Sequence, residues 1–313
     1  APKWFDKNLA LSNEDNFQQL RDSISIAARA YTSDTQLRSA FDHFAVRYTP
    51  HLDSCGKEGL NALVASFGPA LIDRALLDAL LRLLDMHFFD GMRQNVPGIS
   101  LNALTPDLAG FDIDAFLKRL SMPSTLDVRH TVGLVDPIRA SDVKNSHRDG
   151  LPETLEQVVQ TYGHAYFKLK VGGKLDEDLA RLTSIAAVLD AIPSPYYVTL
   201  DGNEQFDDVQ SVTQLWRRML EAPKLKRLAA SVLYIEQPIG RAKALSHSVA
   251  SLARRKPLLI DESDCDLDAF PEAKNLGNTD VTTKACKGLY KTVINAARCD
   301  NWTNAGEKRY FMS

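Results

Sequence analysis

The spacing of apolar and polar residues changes character near residue 126. From about residue 12 to residue 121, apolar residues recur at three- and four-residue intervals, which predicts helices. The segments 12–15 (SNED) and 33–36 (SDTQ) resemble helix start signals, and Pro69 stands where a further helix could begin. After Pro69, leucines lie around nearly the whole circumference of the predicted helix, which indicates burial on most sides.

From about residue 127, short apolar strands alternate with amphipathic helices. The predicted strands are VRHTVGL (128–134), YFKLKV (166–171), YYVTLDG (196–202), SVLYIEQP (231–238), PLLIDES (257–263), DVTTKAC (280–286) and RYFM (309–312). This alternation predicts an α/β fold with a parallel sheet, and seven strands favour a TIM-like (β/α) barrel over a doubly wound sheet. We expect a mainly helical region over residues 1–126. We expect a barrel over residues 127–313, with its eighth strand missing from the chain as given.

Composition and charge exclude several classes of partner. The net charge of −3 and the lack of a long Lys/Arg run give no field that would attract nucleic acid or an anionic membrane. No apolar stretch approaches the roughly 18 residues of a membrane span, and the N-terminus lacks a signal-peptide pattern. Four cysteines without a C-x-x-C pair favour a reduced, cytoplasmic protein. A small-molecule partner is therefore expected, and the sequence leaves a homo-oligomer open.

Polar residues end five successive predicted strands, which is where a barrel carries its catalytic groups. They are Lys168, Lys170, Asp201, Glu236, Asp261 and Lys284. Three carboxylates on successive strands are hard oxygen ligands that could hold an octahedral cation, with positions left for water and substrate. The sequence therefore predicts a Mg²⁺ site made by Asp201, Glu236 and Asp261.

Lys168 and Lys170 lie two positions apart on an otherwise apolar strand and therefore share one face. An isolated lysine has a pKa of about 10.4 and is seldom deprotonated at neutral pH. A neighbouring ammonium and a divalent cation both disfavour the protonated form. The pair therefore predicts a lysine that acts as a base near neutral pH.

Five ordered motifs resemble those of the enolase superfamily, specifically its muconate-lactonising-enzyme subgroup. They are the K-x-K of FKLKVGG, the Asp of LDGNE, the Glu of YIEQP, the Asp of LIDES and the Lys of VTTKACKG, and the resemblance covers about residues 128–313. It implies that residues 1–126 form a capping region and that Asp201, Glu236 and Asp261 bind Mg²⁺. It also implies that Lys170 is the base on one face of the substrate, Lys168 its electrostatic neighbour, and Lys284 the acid or base on the opposite face.

The implied reaction is removal of the proton α to a carboxylate, through an enediolate whose charge the metal stabilises. Lysines on both faces of the substrate favour racemisation or epimerisation of a small carboxylate compound. A cycloisomerase or a syn-dehydratase would use the same groups, and a metal-binding barrel without catalytic activity is a further alternative. Asn203 and Glu262 are expected to support the site, and Lys287 is either a loop residue or a substrate contact.

Overall fold

The computed structural model describes residues 2–101, 103–147, 149–306 and 308–313, which form two compact units. The helical unit consists of Ala1–Pro123, Asp261–Lys274 and Thr279–Ser313. The strand unit consists of Ser124–Ile260 and Asn275–Asn278. The division of the chain into domains over residues 1–126 and 127–313 stays a prediction.

The first part of the helical unit contains helices, as the periodicity predicts. They are α1 (Asn13–Thr32), α2 (Ala40–Lys57), α3 (Ala62–Leu83), α4 (Phe88–Arg93) and α5 (Ile113–Lys118). The predicted start at Ser12 is confirmed, because Ser12 Oγ accepts from Asp15 N at 3.1 Å and Ser12 N donates to Asp15 Oδ2 at 2.7 Å. The start predicted at residues 33–36 is wrong. Ser33 lies at the C-terminal end of α1, and the side chain of Ser39 caps α2 instead.

The helix start predicted at Pro69 is also wrong, because α3 already begins at the cap Asn61 and contains Pro69 in its interior. A proline inside a helix cannot donate to the carbonyl four residues earlier, here that of Ala65. In the structure, Ser23 Oγ donates to Ala65 O at 3.0 Å, and His51 Nε2 lies 2.8 Å from the same oxygen. Side chains from α1 and α2 thus replace the missing helical hydrogen bond.

The strand unit alternates strands and helices. Its elements are β1 (Arg129–Val132), α6 (Leu155–Tyr162), β2 (Tyr166–Lys170), α7 (Leu175–Leu189), β3 (Tyr197–Asp201), α8 (Val209–Glu221), α9 (Lys226–Ser231), β4 (Val232–Glu236), α10 (Arg241–Ala244), α11 (Ala250–Ala253) and β5 (Leu258–Ile260). Each strand from β1 to β5 pairs in parallel with the next. Right-handed crossover helices are the usual connection in such a sheet.

After Ile260 the chain continues with two further strands and two helices. They are α12 (Ala269–Leu276), β6 (Asp280–Val281), α13 (Leu289–Ala305) and β7 (Phe311–Met312). β6 and β7 pair in parallel. Within the described residues, each of the seven predicted strands contains an observed one, which confirms the α/β class. Closure of the strands into a barrel stays a prediction.

The two faces of the strands in the strand unit differ in character. Phe167, Leu169, Leu200 and Ile235 belong to a buried apolar cluster. The alternating positions on β2 are Lys168 and Lys170, which therefore project from the opposite face. The helices pack against the apolar face of these strands, and polar side chains lie on the opposite face.

The chain between β4 and β5 forms two short helices, α10 and α11, rather than one. Val249 N donates to Leu276 O at 2.8 Å, and Ser248 Oγ donates to the same carbonyl at 3.1 Å. These bonds to a distant segment take the place of helical bonds at residues 248 and 249. Across the residues that the structure describes, no helix combines the length and apolar character that a membrane crossing requires.

Candidate active site

Four of the predicted site residues come together at the carboxyl ends of β2, β3 and β4. Lys170 pairs in register with Asp201, and Asp201 pairs in register with Glu236. Lys168 precedes Lys170 by two positions and projects from the same face. Parallel register thus places two lysines and two carboxylates on one face of three adjacent strands.

The two carboxylates converge on the lysine ammoniums. Lys168 Nζ lies 2.7 Å from Asp201 Oδ2 and 2.8 Å from Glu236 Oε1. Lys170 Nζ lies 2.6 Å from the same oxygen of Asp201 and also contacts Asn203 Oδ1. Asp201 and Glu236 are fully buried. Because an ionised carboxylate is costly to bury alone, the two cations on this face compensate the two anions.

The charge state of Lys168 follows from this pairing. Burial opposes its positive charge, but the carboxylates of Glu236 and Asp201 outweigh burial and raise the pKa of Lys168 above its ordinary value. Lys168 is therefore an ammonium at neutral pH. Its role as the electrostatic neighbour of Lys170 stays a prediction.

The turn after β3 is held in a left-handed conformation. Asn203 and Glu204 have φ values of 40° and 70°, which is uncommon for residues other than glycine. Arg241 donates to Glu204 Oε1 from its backbone N at 2.7 Å and from Nε at 2.8 Å, and to Oε2 at 2.7 Å. Asn203 N donates to Asp201 Oδ1 at 2.9 Å. We call the hydrogen bonds between Arg241 and Glu204 the Glu204–Arg241 clamp. The clamp fixes the turn after β3, and this turn carries the contact between Asn203 and Lys170.

Sequence reasoning named Asn203 but missed the clamp. Glu204 belongs to the quoted LDGNE motif, and its carboxylate was a visible signal. Arg241 lies 37 residues further along the chain, and nothing in its sequence surroundings pairs it with Glu204.

The two other predicted site residues, Asp261 and Lys284, lie together in the helical unit. Lys284 Nζ contacts Asp261 Oδ2, and Lys287 Nζ lies 2.8 Å from Asp261 Oδ1. Lys287 also donates to Asp261 O at 2.6 Å and to Thr282 O at 2.8 Å. Burial alone would raise the pKa of the Asp261 carboxyl, but the ammoniums of Lys287 and Lys284 outweigh burial and lower the pKa to about 2.

An aromatic ring from the N-terminal segment covers the Lys284 ammonium. The ring centre of Trp4 lies 4.4 Å from Lys284 Nζ, within cation–π range. Phe5 packs edge-on against Trp4 at 4.9 Å and against Phe67 at 5.3 Å, which anchors the segment on α3. Sequence reasoning assigned no role to Trp4, because no local pattern links it to a residue 280 positions away.

Residues 150–300 match a family model described as enolase C-terminal domain-like. The chain carries an enolase-like C-terminal domain segment. Over this segment, the match confirms the resemblance to the enolase superfamily that the motifs indicate. No curated protein sequence matches the chain.

Solved structures of the mandelate racemase/muconate lactonizing family share this fold. The chain superposes on such a protein from Herpetosiphon aurantiacus with a TM-score of 0.57 and 17% identity, covering 88% of this chain and 63% of that one. For a protein of the same description from Paracoccus denitrificans Pd1222, the TM-score is 0.57 and the identity 16%, covering 92% and 68%. Muconate lactonizing enzyme from Pseudomonas putida matches with 20% identity and a TM-score of 0.38, over 55% of this chain and 44% of that enzyme.

The donor set at β3 and β4 fits a divalent cation in type and position. Asp201 and Glu236 offer carboxylate oxygens, both are fully buried, and one oxygen of each already lies within 2.8 Å of the same cationic nitrogen, that of Lys168. Among the described residues, no group of three or more His, Cys, Asp or Glu side chains is arranged as a metal site. The three-carboxylate Mg²⁺ site therefore stays a prediction, with Asp201 and Glu236 as the pair that the structure brings together.

Proposed function

We propose that this chain supplies the proton-transfer groups of a magnesium-dependent enzyme that racemises or epimerises a small carboxylate compound at its α-carbon. The observation that carries this proposal is the position of Lys170. Its Nζ lies on the same face as two fully buried carboxylates and shares an oxygen of Asp201 with Lys168. A potential base thus adjoins a potential cation site, which is the juxtaposition that α-proton removal requires.

Asp201 and Glu236 would hold Mg²⁺ together with Asp261, whose inclusion rests on its motif and on its place at the end of β5 in the chain. When bound, the cation would neutralise the negative charge that develops on the substrate carboxylate as the α-proton leaves. Lys168 would add a fixed positive charge to the same region, because its pairing keeps it an ammonium.

Lys170, as the neutral amine, would take the α-proton of one isomer and become an ammonium. Asn203 Oδ1 would orient its Nζ, and the Glu204–Arg241 clamp would keep Asn203 in place. Lys284 would return a proton to the other face of the carbon, so that one proton leaves and one arrives. In the opposite direction, the two lysines would exchange roles.

The test is a screen of chiral carboxylates in deuterated water with Mg²⁺. The panel covers 2-hydroxy acids, N-acylated amino acids and dipeptides, and proton NMR follows loss of the α-proton signal while polarimetry follows interconversion. We expect exchange and interconversion for one class, both abolished by chelator. Lys170→Ala should abolish interconversion and the exchange of the isomer presented to Lys170. Exchange that persists in chelator would refute the magnesium role.

In Lys170→Ala, undiminished exchange of the isomer presented to Lys170 would show that another group is the base. Exchange without interconversion would favour a one-base reaction such as cycloisomerisation or syn-dehydration. The Lys174→Ala variant is the matched control, because Lys174 is an exposed lysine just beyond the same strand.

A further inference from the structure

Two basic segments of the strand unit meet at the amino ends of β4 and β5. Residues 224–227 (KLKR) lead into α9, which ends directly before β4, and residues 254–256 (RRK) precede β5. Lys256 Nζ donates to the carbonyl of Val232, the first residue of β4, at 2.5 Å. The whole chain carries a net charge of −3, so this concentration of positive charge is local. It lies at the opposite end of the strands from the candidate active site.

A cavity of about 400 Å³ lies between these two basic segments. This volume suits a small organic molecule. Its apolar wall includes Trp216 and Leu220 of α8 and Ala230 of α9, and its cationic wall consists of Lys226, Arg255 and Lys256. Within the described part of the chain, the lining includes no acidic side chain. The cavity therefore combines an apolar surface with a positive one.

The positive charge of the cationic wall is not neutralised by the protein. In the portion of the chain that the structure describes, no carboxylate oxygen lies within 4 Å of the charged nitrogens of Lys226, Arg255 or Lys256. Lys226 and Arg255 are exposed, and water can solvate them. Lys256 is only partly exposed, and its Nζ lies 5.2 Å from the ring centre of Trp216. An anion in the cavity would compensate this partly buried charge.

The apolar wall indicates what kind of anion fits. Trp216 is buried, but Leu220 is 54% exposed at the end of α8. An inorganic ion would use the cations alone and would leave Leu220 in contact with water. A ligand with an apolar body would cover Leu220 and gain free energy from the burial of both surfaces.

We propose that this cavity binds an organic anion with an apolar body, specifically a phosphate monoester of an alkyl or aryl group. The phosphate would contact Lys226, Arg255 and Lys256, and the apolar body would lie against Trp216 and Leu220. A phosphate monoester carries a charge of about −1.5 to −2 at pH 7, which suits three adjacent cations better than the single charge of a carboxylate. A phospholipid headgroup offers the same chemistry, but the limited cavity volume favours a free ester.

The first experiment measures binding of octyl phosphate, inorganic phosphate and octanol to the full chain by isothermal titration calorimetry. We expect octyl phosphate to bind at least about tenfold more tightly than inorganic phosphate, because burial of two CH₂ groups is sufficient for that difference. Octanol should bind more weakly than octyl phosphate by at least about tenfold, because it lacks the charge. Equal affinity for octyl phosphate and either of the other two compounds would overturn the inference.

The second experiment tests the two walls separately. Arg255→Met should weaken octyl phosphate binding about tenfold by removing a contacting charge. Ala230→Phe should weaken it by a similar factor, because the larger side chain fills the cavity while every cation remains. Both positions are exposed, and circular dichroism checks the fold. Wild-type affinity in both variants would overturn the inference.

Arg254→Met is the matched control, because Arg254 is the exposed neighbour of Arg255 but does not line the cavity. At 0.15 M salt, where charges more than about 8 Å apart are largely screened, its Kd should stay within about twofold of the wild-type value. Equal losses in Arg254→Met and Arg255→Met would indicate a diffuse basic surface and would overturn the site.

Tryptophan fluorescence locates the ligand. Octyl phosphate should change the emission of the wild type, of Trp4→Phe and of Trp302→Phe, but not that of Trp216→Phe. A change that persists in Trp216→Phe would place the ligand elsewhere. Sedimentation with vesicles of phosphatidylcholine and phosphatidylglycerol tests the lipid source. Binding to these vesicles without binding of octyl phosphate would assign the surface to a membrane and overturn the proposal.

Discussion

Asp201 and Glu236 are in-register neighbours on β3 and β4, and both carboxylates contact the ammonium of Lys168. Adjacent parallel strands lie about 4.8 Å apart, so the two side chains meet without any distortion of the backbone. Lys168 holds together two anions that would otherwise repel each other in a buried place. The same closeness makes the pair suitable for a divalent cation.

The first prediction concerns the stability that Lys168 provides. Lys168→Met should lower the free energy of unfolding by about 3 kcal/mol at pH 7, because two buried carboxylates lose a shared cation. Urea unfolding measures this value. Mg²⁺ should restore part of the loss in the variant by binding the native carboxylates.

Lys174→Met provides the comparison. In the wild type, Lys174 forms an ion pair with Glu177, and both side chains are 72% exposed. This pair should contribute less than about 1 kcal/mol to the free energy of unfolding. A loss in Lys168→Met no larger than that of Lys174→Met would contradict the pairing.

The second prediction concerns the metal ligands. Asp201→Asn and Glu236→Gln should each weaken Mn²⁺ binding at least tenfold, about 1.4 kcal/mol or more, because each removes a negatively charged oxygen ligand. Isothermal titration calorimetry measures the affinity, and circular dichroism checks the fold. Asp207→Asn, at an exposed position beyond β3, should bind as the wild type does. Unchanged affinity in both ligand variants would place the metal elsewhere.

The third prediction separates the two lysines proposed for catalysis. In deuterated water, Lys284→Ala should still exchange the α-proton of the isomer presented to Lys170 without converting it, and Lys170→Ala should show the reverse preference. NMR of each pure enantiomer measures exchange. If Lys284→Ala still interconverts the isomers, Lys284 is not the second base and a one-base reaction becomes the better interpretation.

The fourth prediction is a pH dependence that arises far from the proposed chemistry. Burial raises the pKa of Asp73 on α3 to about 7, although Tyr31 OH donates to its Oδ1 at 2.6 Å and partly opposes the shift. Between pH 4 and pH 7 the unfolded chain loses this proton while the folded chain keeps it, so stability falls as pH rises through that window. Asp73→Asn should reduce this fall by about 3 to 4 kcal/mol between pH 4 and pH 8.

Urea unfolding at several pH values measures the difference, with Asp78→Asn as the control because Asp78 is an exposed carboxylate on the same helix. Parallel pH profiles of the wild type and Asp73→Asn would show that Asp73 ionises as easily in the folded chain as in the unfolded one.

The sequence alone predicts the strands and the face that Lys168 and Lys170 share. Both depend on local rules, because side chains alternate along a strand and an apolar run followed by a turn marks its end. The places of Asp201, Glu236 and Asp261 at strand ends follow from the same rules, as does the capping box at Ser12. The motifs themselves were sufficient to predict the superfamily.

Only the tertiary structure shows which partners those residues have. That one oxygen of Asp201 contacts both Lys168 and Lys170, and that Arg241 clamps Glu204, depends on strand register and on segments distant in the chain. The interior position of Pro69 and the full burial of Lys287 have the same origin. Local propensity determines which conformations a segment favours. The free-energy cost of a buried charge or of a lost helical hydrogen bond is offset by polar groups from segments distant in the sequence, and only folding brings those groups into contact.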